Sequence, residues 1–173
     1  ATVLELFDVG NTDDNESDTE LRSIAEFNVY LALMALPGYW VGVFMVDMPW
    51  FGRKKTQVIG FFILAVNYLI IGLFYHHLKN SAWAFILLYG LTFFITNAGP
   101  NTTTFVIPSE AFPTSVRATY HGISAASGKA GAALGALGMA PILDAHGLPF
   151  VLFICSGVAL AGAVLTLLTL SET

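Results

Sequence analysis

Three polar residues lie inside stretches of sequence that are otherwise apolar. Lys129 is near the centre of residues 119–143, and Asn97 and Asn101 fall within residues 82–107. A lysine in the middle of a membrane helix costs about 2.5–3.5 kcal/mol on insertion scales, so it requires a partner or a water-filled cavity. We therefore expect Lys129 either to neutralise a carboxylate on another helix or to face an anionic substrate.

Asn97 and Asn101 belong to the densest polar patch of the apolar stretches, which also holds Thr96, Pro100 and residues 102–104. Residues four apart share one face of a helix. Pro100 removes a backbone hydrogen bond and should free a carbonyl near Thr96. The patch has two interpretations, because amides donate hydrogen bonds to an oxyanion without adding charge but also join neighbouring membrane helices.

Charged residues close to the ends of the apolar stretches form a second candidate site. Asp47 and Arg53 lie in one gap, and Glu110 and Arg117 lie in another. These four side chains could form an ionic latch that closes in one conformation and parts in another, as alternating access requires. The alternative is that they are solvated anchors at the membrane surface, where ion pairs contribute little to stability.

The composition identifies the elements that position these residues as membrane helices. The chain has 173 residues, of which 55% are hydrophobic and 11% charged, with a mean hydropathy of +0.70. A soluble domain carries about 25% charged residues, and a chain this apolar cannot remain disordered. The net charge of -5 argues against a nucleic-acid partner. The single cysteine, Cys155, can form no internal disulfide.

Five apolar stretches account for most of the chain, and each is close to the roughly 20 residues that cross a bilayer as a helix. They are residues 27–46, 57–75, 82–107, 119–143 and 149–170. We therefore predict an all-α, polytopic membrane protein with a five-helix bundle over residues 27–173. Residues 1–26 are predicted to hold the end of a preceding helix and an acidic outer loop.

The basic residues predict which side of the membrane is cytoplasmic. If all five stretches cross, the loops on one side carry Arg53, Lys54, Lys55 and Arg117, whereas the other side carries Arg22 and Lys79. Short loops rich in lysine and arginine face the cytoplasm. The acidic leader should therefore face outward.

No pattern in the sequence indicates an enzyme. It contains no serine, histidine and aspartate arrangement for nucleophilic catalysis, no glycine-rich phosphate loop and no cluster of metal ligands. We expect neither catalysis nor a cofactor.

Four segments resemble one transporter family. They are PGYW at 37–40, GPNTTTF at 99–105, PSEAFP at 108–113 and HGISAASGKAG at 121–131. These segments are similar to the proton-coupled inorganic phosphate transporters of the major facilitator superfamily, most closely to the high-affinity branch of fungi and plants. The resemblance runs from the leader to the C-terminus. The PSEAFP element is shared with sugar porters and supports only the superfamily.

The resemblance implies a twelve-helix transporter of two six-helix halves that binds phosphate at the midplane and carries it with protons across the plasma membrane. The five stretches would be the eighth to twelfth helices, and residues 1–7 would end the seventh. The N-terminal half and the proton-handling aspartates would lie outside these residues. A porter for sugars or other organic solutes, and a phosphate-sensing receptor, are the alternatives.

The resemblance also implies roles for the candidate residues. Asn97, Asn101 and Lys129 would bind phosphate. The inner gate would contain Asp47, Arg53, Glu110 and Arg117. The family's inner loop reads Asp-x-x-Gly-Arg, whereas here four residues, 48–51, separate Asp47 from Gly52, which is two more than in that pattern.

Overall fold

A computed structural model describes residues 14–78 and 81–170 of the chain, and every regular element in this part is helical. This confirms the predicted fold class. Its elements are α1 (Asp14–Asp47), α2 (Gly52–Leu73), α3 (Tyr75–Leu78), α4 (Ala82–Thr96), a π-helical turn (Asn97–Asn101), α5 (Thr102–Ala111), α6 (Arg117–His146) and α7 (Leu148–Thr169).

All five predicted stretches are helical, and within the described residues four segments are long and apolar enough to cross a membrane. These are Ala25–Asp47, Gly52–Leu73, Trp83–Ala111 and Leu148–Thr169. The third combines α4, the π-helical turn and α5. The expectation of five apolar spans is therefore met in four. α6 has the length, but its many small residues and Lys129 make it less apolar than these four segments.

The predicted outer loop is partly wrong, because α1 begins at Asp14 and not near residue 27. An acidic segment is compatible with a helix N-terminus as well as with a loop, and the sequence after residue 13 is acidic. The predicted end of a preceding helix, at residues 1–7, lies outside the described residues, as does Lys79.

The core is built around α2, which packs against α7, α4 and the π-helical turn, while α1 packs against α4 and the same turn. Two clusters of buried apolar side chains fill the interior. One contains Leu64, Ala65, Ile95 and Ala159, and the other contains Ile71, Leu78, Phe85 and Leu152. α6 packs against α5 and α7, and no residue of α6 is buried by the part of the chain that the structure describes.

Buried polar side chains also join the helices. Asn67 Nδ2 on α2 donates to Thr92 Oγ1 on α4 at 2.9 Å and to the Leu88 carbonyl at 3.2 Å. Ser156 Oγ on α7 donates to the Ala65 carbonyl at 2.8 Å. Hydrogen bonds of this kind hold membrane helices together and contribute about 0.6 kcal/mol on average. They fix the frame against which the π-helical turn is positioned.

Candidate functional site

The predicted irregularity at Pro100 is a π-helical turn over Asn97–Asn101, which interrupts the helix between α4 and α5. A proline ring has no N–H to donate and clashes with the preceding turn of a regular helix. The wider π turn accommodates it, and such turns are frequent at functional sites. Asn97, Ala98, Gly99 and Pro100 are all buried, so the irregular backbone is enclosed by protein, as membrane depth requires.

The threonine run after the turn satisfies backbone carbonyls. Thr102 Oγ1 donates to the Asn97 carbonyl at 2.5 Å, and Thr104 Oγ1 donates to the Asn101 carbonyl at 2.9 Å. Thr103 Oγ1 lies 3.0 Å from the Gly99 carbonyl oxygen and 3.1 Å from that of Pro100. Carbonyl groups that have lost their regular helical partners need another hydrogen-bond donor in a membrane. The polar patch is therefore largely structural, and the threonines donate within the turn.

Two glycines allow the neighbouring helices to approach the turn. A Cβ atom on Gly60 of α2 would lie 2.7 Å from Pro100 Cδ and 2.8 Å from Gly99 Cα. A Cβ atom on Gly42 of α1 would lie 2.7 Å from Thr102 Oγ1. Side chains at these positions would push the helices apart, since interiors are already close-packed. The turn is held between α1 and α2.

The structure brings Asn97 and Asn101 together and adds a third residue, Tyr39 of α1. Asn101 Nδ2 donates to Asn97 Oδ1 at 2.6 Å and to Tyr39 Oη at 2.7 Å. Asn97 is 7% exposed, whereas Tyr39 is 42% exposed. We call these three residues the amide cluster. It presents neutral hydrogen-bond donors at the edge of a buried turn, which suits an oxyanion that must be released again.

Sequence reasoning did not assign a role to Tyr39. The residue stood out only as part of the PGYW segment beside Pro37, through which α1 continues as a helix. Its partner is 62 positions away in the chain. Spacing within one helix predicts the contact between Asn97 and Asn101, but it gives no information about register between two helices.

Lys129 does not join the amide cluster in this part of the molecule. Its side chain is exposed on α6 and makes no hydrogen bond or ion pair with any residue that the structure describes. The glycines around it, Gly128 and Gly131, have open space where a Cβ atom would be. Gly135 and Gly138 on the same helix are equally open, so no described residue lies within 4 Å of a Cβ atom added at any of these four glycines.

The predicted ionic latch is only partly formed. Arg53 and Glu110 make a bidentate pair, with Nε to Oε2 at 2.7 Å and Nη2 to Oε1 at 2.8 Å. Asp47 adds a weaker electrostatic attraction to the Arg53 guanidinium. Arg117 is not part of this pair, because its Nε donates to the Phe112 carbonyl at 3.1 Å. In this conformation one pair of the four charges is formed, and it joins α2 to α5, while the latch of all four stays a prediction.

The four residues between Asp47 and Gly52, two more than in the family pattern, form a tight turn. The Met48 carbonyl accepts from the Phe51 and Gly52 N–H groups at 3.2 Å and 3.0 Å. Gly52 has a φ of 66°, a left-handed conformation that glycine adopts without a steric penalty. The turn places Arg53 within hydrogen-bonding distance of Glu110. A cavity of 590 Å³ beside the pair is lined by this turn, Lys54, Lys55 and the end of α7.

Comparison with known proteins identifies the family. The sugar (and other) transporter family matches residues 15–173, and the chain belongs to this family. Membership confirms the transporter superfamily that the sequence segments implied, and together with the apolar helices it makes the chain a multi-pass membrane protein.

Individual relatives are plant proteins. The chain is 43% identical over 157 residues to the probable inorganic phosphate transporter 1-6 of Arabidopsis thaliana, a match that covers 89% of this chain and 30% of that protein. It is 47% identical over 137 residues to the low affinity inorganic phosphate transporter 5 of Petunia hybrida, covering 76% of this chain and 26% of the relative. It is 48% identical over 132 residues to the low affinity inorganic phosphate transporter 4 of Lotus japonicus, covering 72% of this chain and 25% of the relative.

The chain therefore spans less than a third of the length of these relatives. Two of the three carry the description low affinity, so the resemblance to the high-affinity branch stays a prediction.

Proposed function

We propose that the chain is part of a secondary transporter that carries inorganic phosphate across the plasma membrane by alternating access. The observation that carries this proposal is the buried Asn97 amide, which Asn101 orients at a proline-containing π turn between packed helices. Irregular backbone at membrane depth is typical of substrate sites in transporters. The names of the relatives point to the same substrate.

Asn97, Asn101 and Lys129 are the proposed substrate-binding residues. The amides bind the anion without holding it by charge, and Lys129 provides the one positive charge. A lysine this far into a helix must meet a partner or water, and no described residue supplies a partner. Because the chain spans less than a third of its relatives' length, the substrate is proposed to meet Lys129 in a cleft completed by the rest of the protein.

The pair between Arg53 and Glu110 is the proposed inner gate. Its side chains are 37% and 47% exposed, and water competes with exposed ion pairs so that they contribute little net stability. A weak but geometrically defined contact between α2 and α5 suits a gate that opens in every transport cycle. Asp47 and Arg117 are proposed to belong to the gate in another conformation, in which the loops have moved.

Electrostatics supports coupling to a cation. Moving one elementary charge across the membrane corresponds to about 2.3 kcal/mol per 100 mV, so an anion that enters a negatively charged cell must travel with excess cations, and we propose that these are protons. We propose that the acidic residues that carry these protons belong to an N-terminal six-helix half outside this chain. The proposed activity forms no covalent bond and needs no cofactor, so the protein is not proposed to be an enzyme.

Uptake by vesicles that contain the full-length protein tests this proposal. We expect saturable uptake of radiolabelled phosphate that depends on a proton gradient, and no uptake of radiolabelled glucose. Glucose uptake would instead favour a sugar porter, consistent with the breadth of the family. Phosphate binding without uptake would favour a sensor, and either result would contradict the proposed activity.

A further inference from the structure

The cavity beside the proposed gate keeps two positive charges that the described residues do not neutralise. Arg53, Lys54 and Lys55 line it together with one carboxylate, that of Glu110. Arg53 engages Glu110 through two hydrogen bonds and is also the cation that Asp47 attracts. No described carboxylate forms an ion pair with Lys54 or Lys55. The cavity can therefore accept an anionic ligand without breaking the gate contact.

Lys55 lies at the inner end of an exposed apolar face of α2. Residues three and four apart share one face of a helix. Counted from Lys55, that face carries Ile59, Phe62, Val66, Leu69 and Leu73, all of them exposed. Because α2 is long and apolar enough to cross a membrane, we expect this face to contact acyl chains. Lysines near the ends of membrane helices extend toward the interface, so the Lys55 ammonium is expected at the level of the phospholipid headgroups.

Trp50 indicates the same depth. The turn between α1 and α2 leaves this side chain 86% exposed, and Lys55 Nζ lies 3.5 Å from the Trp50 carbonyl oxygen. Tryptophan is enriched at membrane–water interfaces, because its ring is apolar and its N–H can be hydrated. An exposed indole next to a lysine is therefore typical of the headgroup region. The turn, the two lysines and the mouth of the cavity are expected to lie together at that level.

We propose that this cavity binds the headgroup of an anionic phospholipid, with Lys54 and Lys55 pairing with its phosphate and the exposed face of α2 contacting its acyl chains. The cytoplasmic leaflet is anionic and attracts basic segments next to membrane helices, and the basic loops predict that this side is cytoplasmic. Free inorganic phosphate would match the lysines but has no chain for the apolar face. The observations therefore favour a lipid. The site is separate from the amide cluster.

The first test is calorimetric titration of the full-length protein, in a neutral detergent, with short-chain phospholipids. Dioctanoylphosphatidylglycerol should bind with a Kd at least about tenfold lower than that of dioctanoylphosphatidylcholine. Added NaCl should raise the Kd of the anionic lipid, because salt screens exposed charges. Inorganic phosphate should not displace it. Equal binding of the two lipids, or displacement by inorganic phosphate, overturns the proposal, and neither outcome depends on phosphate transport.

A charge-removal variant tests the two lysines. Lys54→Gln combined with Lys55→Gln should raise the Kd for dioctanoylphosphatidylglycerol about thirtyfold, because each lysine near an anionic headgroup adds a similar increment of affinity. The Kd for dioctanoylphosphatidylcholine should change much less. Arg22→Gln combined with Lys79→Gln is the matched control, since it removes two basic charges from the predicted outer side, and it should bind the anionic lipid normally. An unchanged Kd in the lysine variant overturns the proposal.

A second measurement keeps both lysines in place. The full-length protein is reconstituted in phosphatidylcholine vesicles with a minor fraction of phosphatidylglycerol that carries bromine, a quencher of indole fluorescence, on its acyl chains close to the headgroup. The emission that Trp50→Phe removes should be quenched more than the mole fraction of brominated lipid predicts. Trp83, 84% exposed near the start of α4, is the control, and the emission that Trp83→Phe removes should follow the mole fraction. Quenching of Trp50 that only follows the mole fraction overturns the proposal.

Discussion

The π-helical turn and α6 both carry polar residues at membrane depth, but their environments are opposite. In the turn, Asn97 is buried, Asn101 uses both of its N–H donors, and the threonines bind backbone carbonyls. On α6, Lys129 and the surrounding small residues are exposed, and the side chain of Lys129 contacts no partner in the described part of the chain.

The contrast separates polar residues whose hydrogen bonds are made by described residues from Lys129, which makes none with them. α1 and α2 hold the turn in place, and its hydrogen bonds are made by described residues. α6 has its contacts with α5 and α7 but leaves a face uncovered. The turn is therefore proposed to set the geometry of the site, while Lys129 supplies its charge in the full-length protein.

The largest expected effect belongs to Lys129. In the full-length protein, Lys129→Ala should lower phosphate uptake by about a hundredfold, since a charge-assisted contact contributes up to about 3 kcal/mol, while the amount of protein in the membrane stays normal. Radiolabelled uptake at equal surface expression measures this. Arg22→Ala, at an exposed position of α1, is the control and should retain uptake. Normal uptake by Lys129→Ala would show that α6 has no part in binding the anion.

A smaller effect on stability is expected from the packing of the turn. Gly60→Ala should lower the free energy of unfolding by about 1–3 kcal/mol, because its Cβ atom would overlap Pro100 and Gly99. Thermal unfolding of the purified protein in detergent measures this as a lower Tm. Gly157→Ala on α7 adds a Cβ atom where nothing lies within 4 Å and should be neutral or stabilising. Equal melting of both variants would refute the tight contact.

The smallest effect is expected at the inner gate. Glu110→Gln should change the maximal uptake rate by less than about fivefold, since an exposed ion pair biases a conformational equilibrium only weakly. Arg53→Glu alone should also change the maximal uptake rate. Combining it with Glu110→Arg exchanges the two charges and should return the rate most of the way to that of the unmodified protein. Glu26→Gln, an exposed carboxylate of α1, is the control. Failure of the exchange to restore the rate would argue that the pair is not a gate contact.

The helices and part of the site could be predicted from the sequence because their signals are local. Apolar stretches predicted five helices, the four-residue spacing predicted that Asn97 and Asn101 share a face, and Pro100 predicted a break. The start of α1 was misplaced because the acidic leader was interpreted as a loop, although acidic residues also stabilise a helix N-terminus.

The contacts between helices could not be predicted, because they depend on register. The sequence does not tell that Asn101 reaches Tyr39, that Asn67 binds Thr92, or that Arg117 donates to a carbonyl in place of Glu110. A single asparagine within the apolar stretch of α2 was the available signal for Asn67. It indicates that a polar partner exists but not which helix supplies it.

Two buried asparagines provide the most direct test of the central claim, which is that the π turn presents a binding amide and not only a helix contact. Uptake kinetics and Tm should be measured for Asn97→Ala and Asn67→Ala in the full-length protein. We predict that Asn97→Ala raises the KM for phosphate about tenfold, since its Nδ2 has no acceptor in the described part of the chain. It should lower the Tm less than Asn67→Ala does, since it loses only the hydrogen bond that its Oδ1 accepts from Asn101. Asn67→Ala should lower the Tm and leave the KM unchanged, because its amide joins α2 to α4. A lower Tm with an unchanged KM in Asn97→Ala would contradict the account.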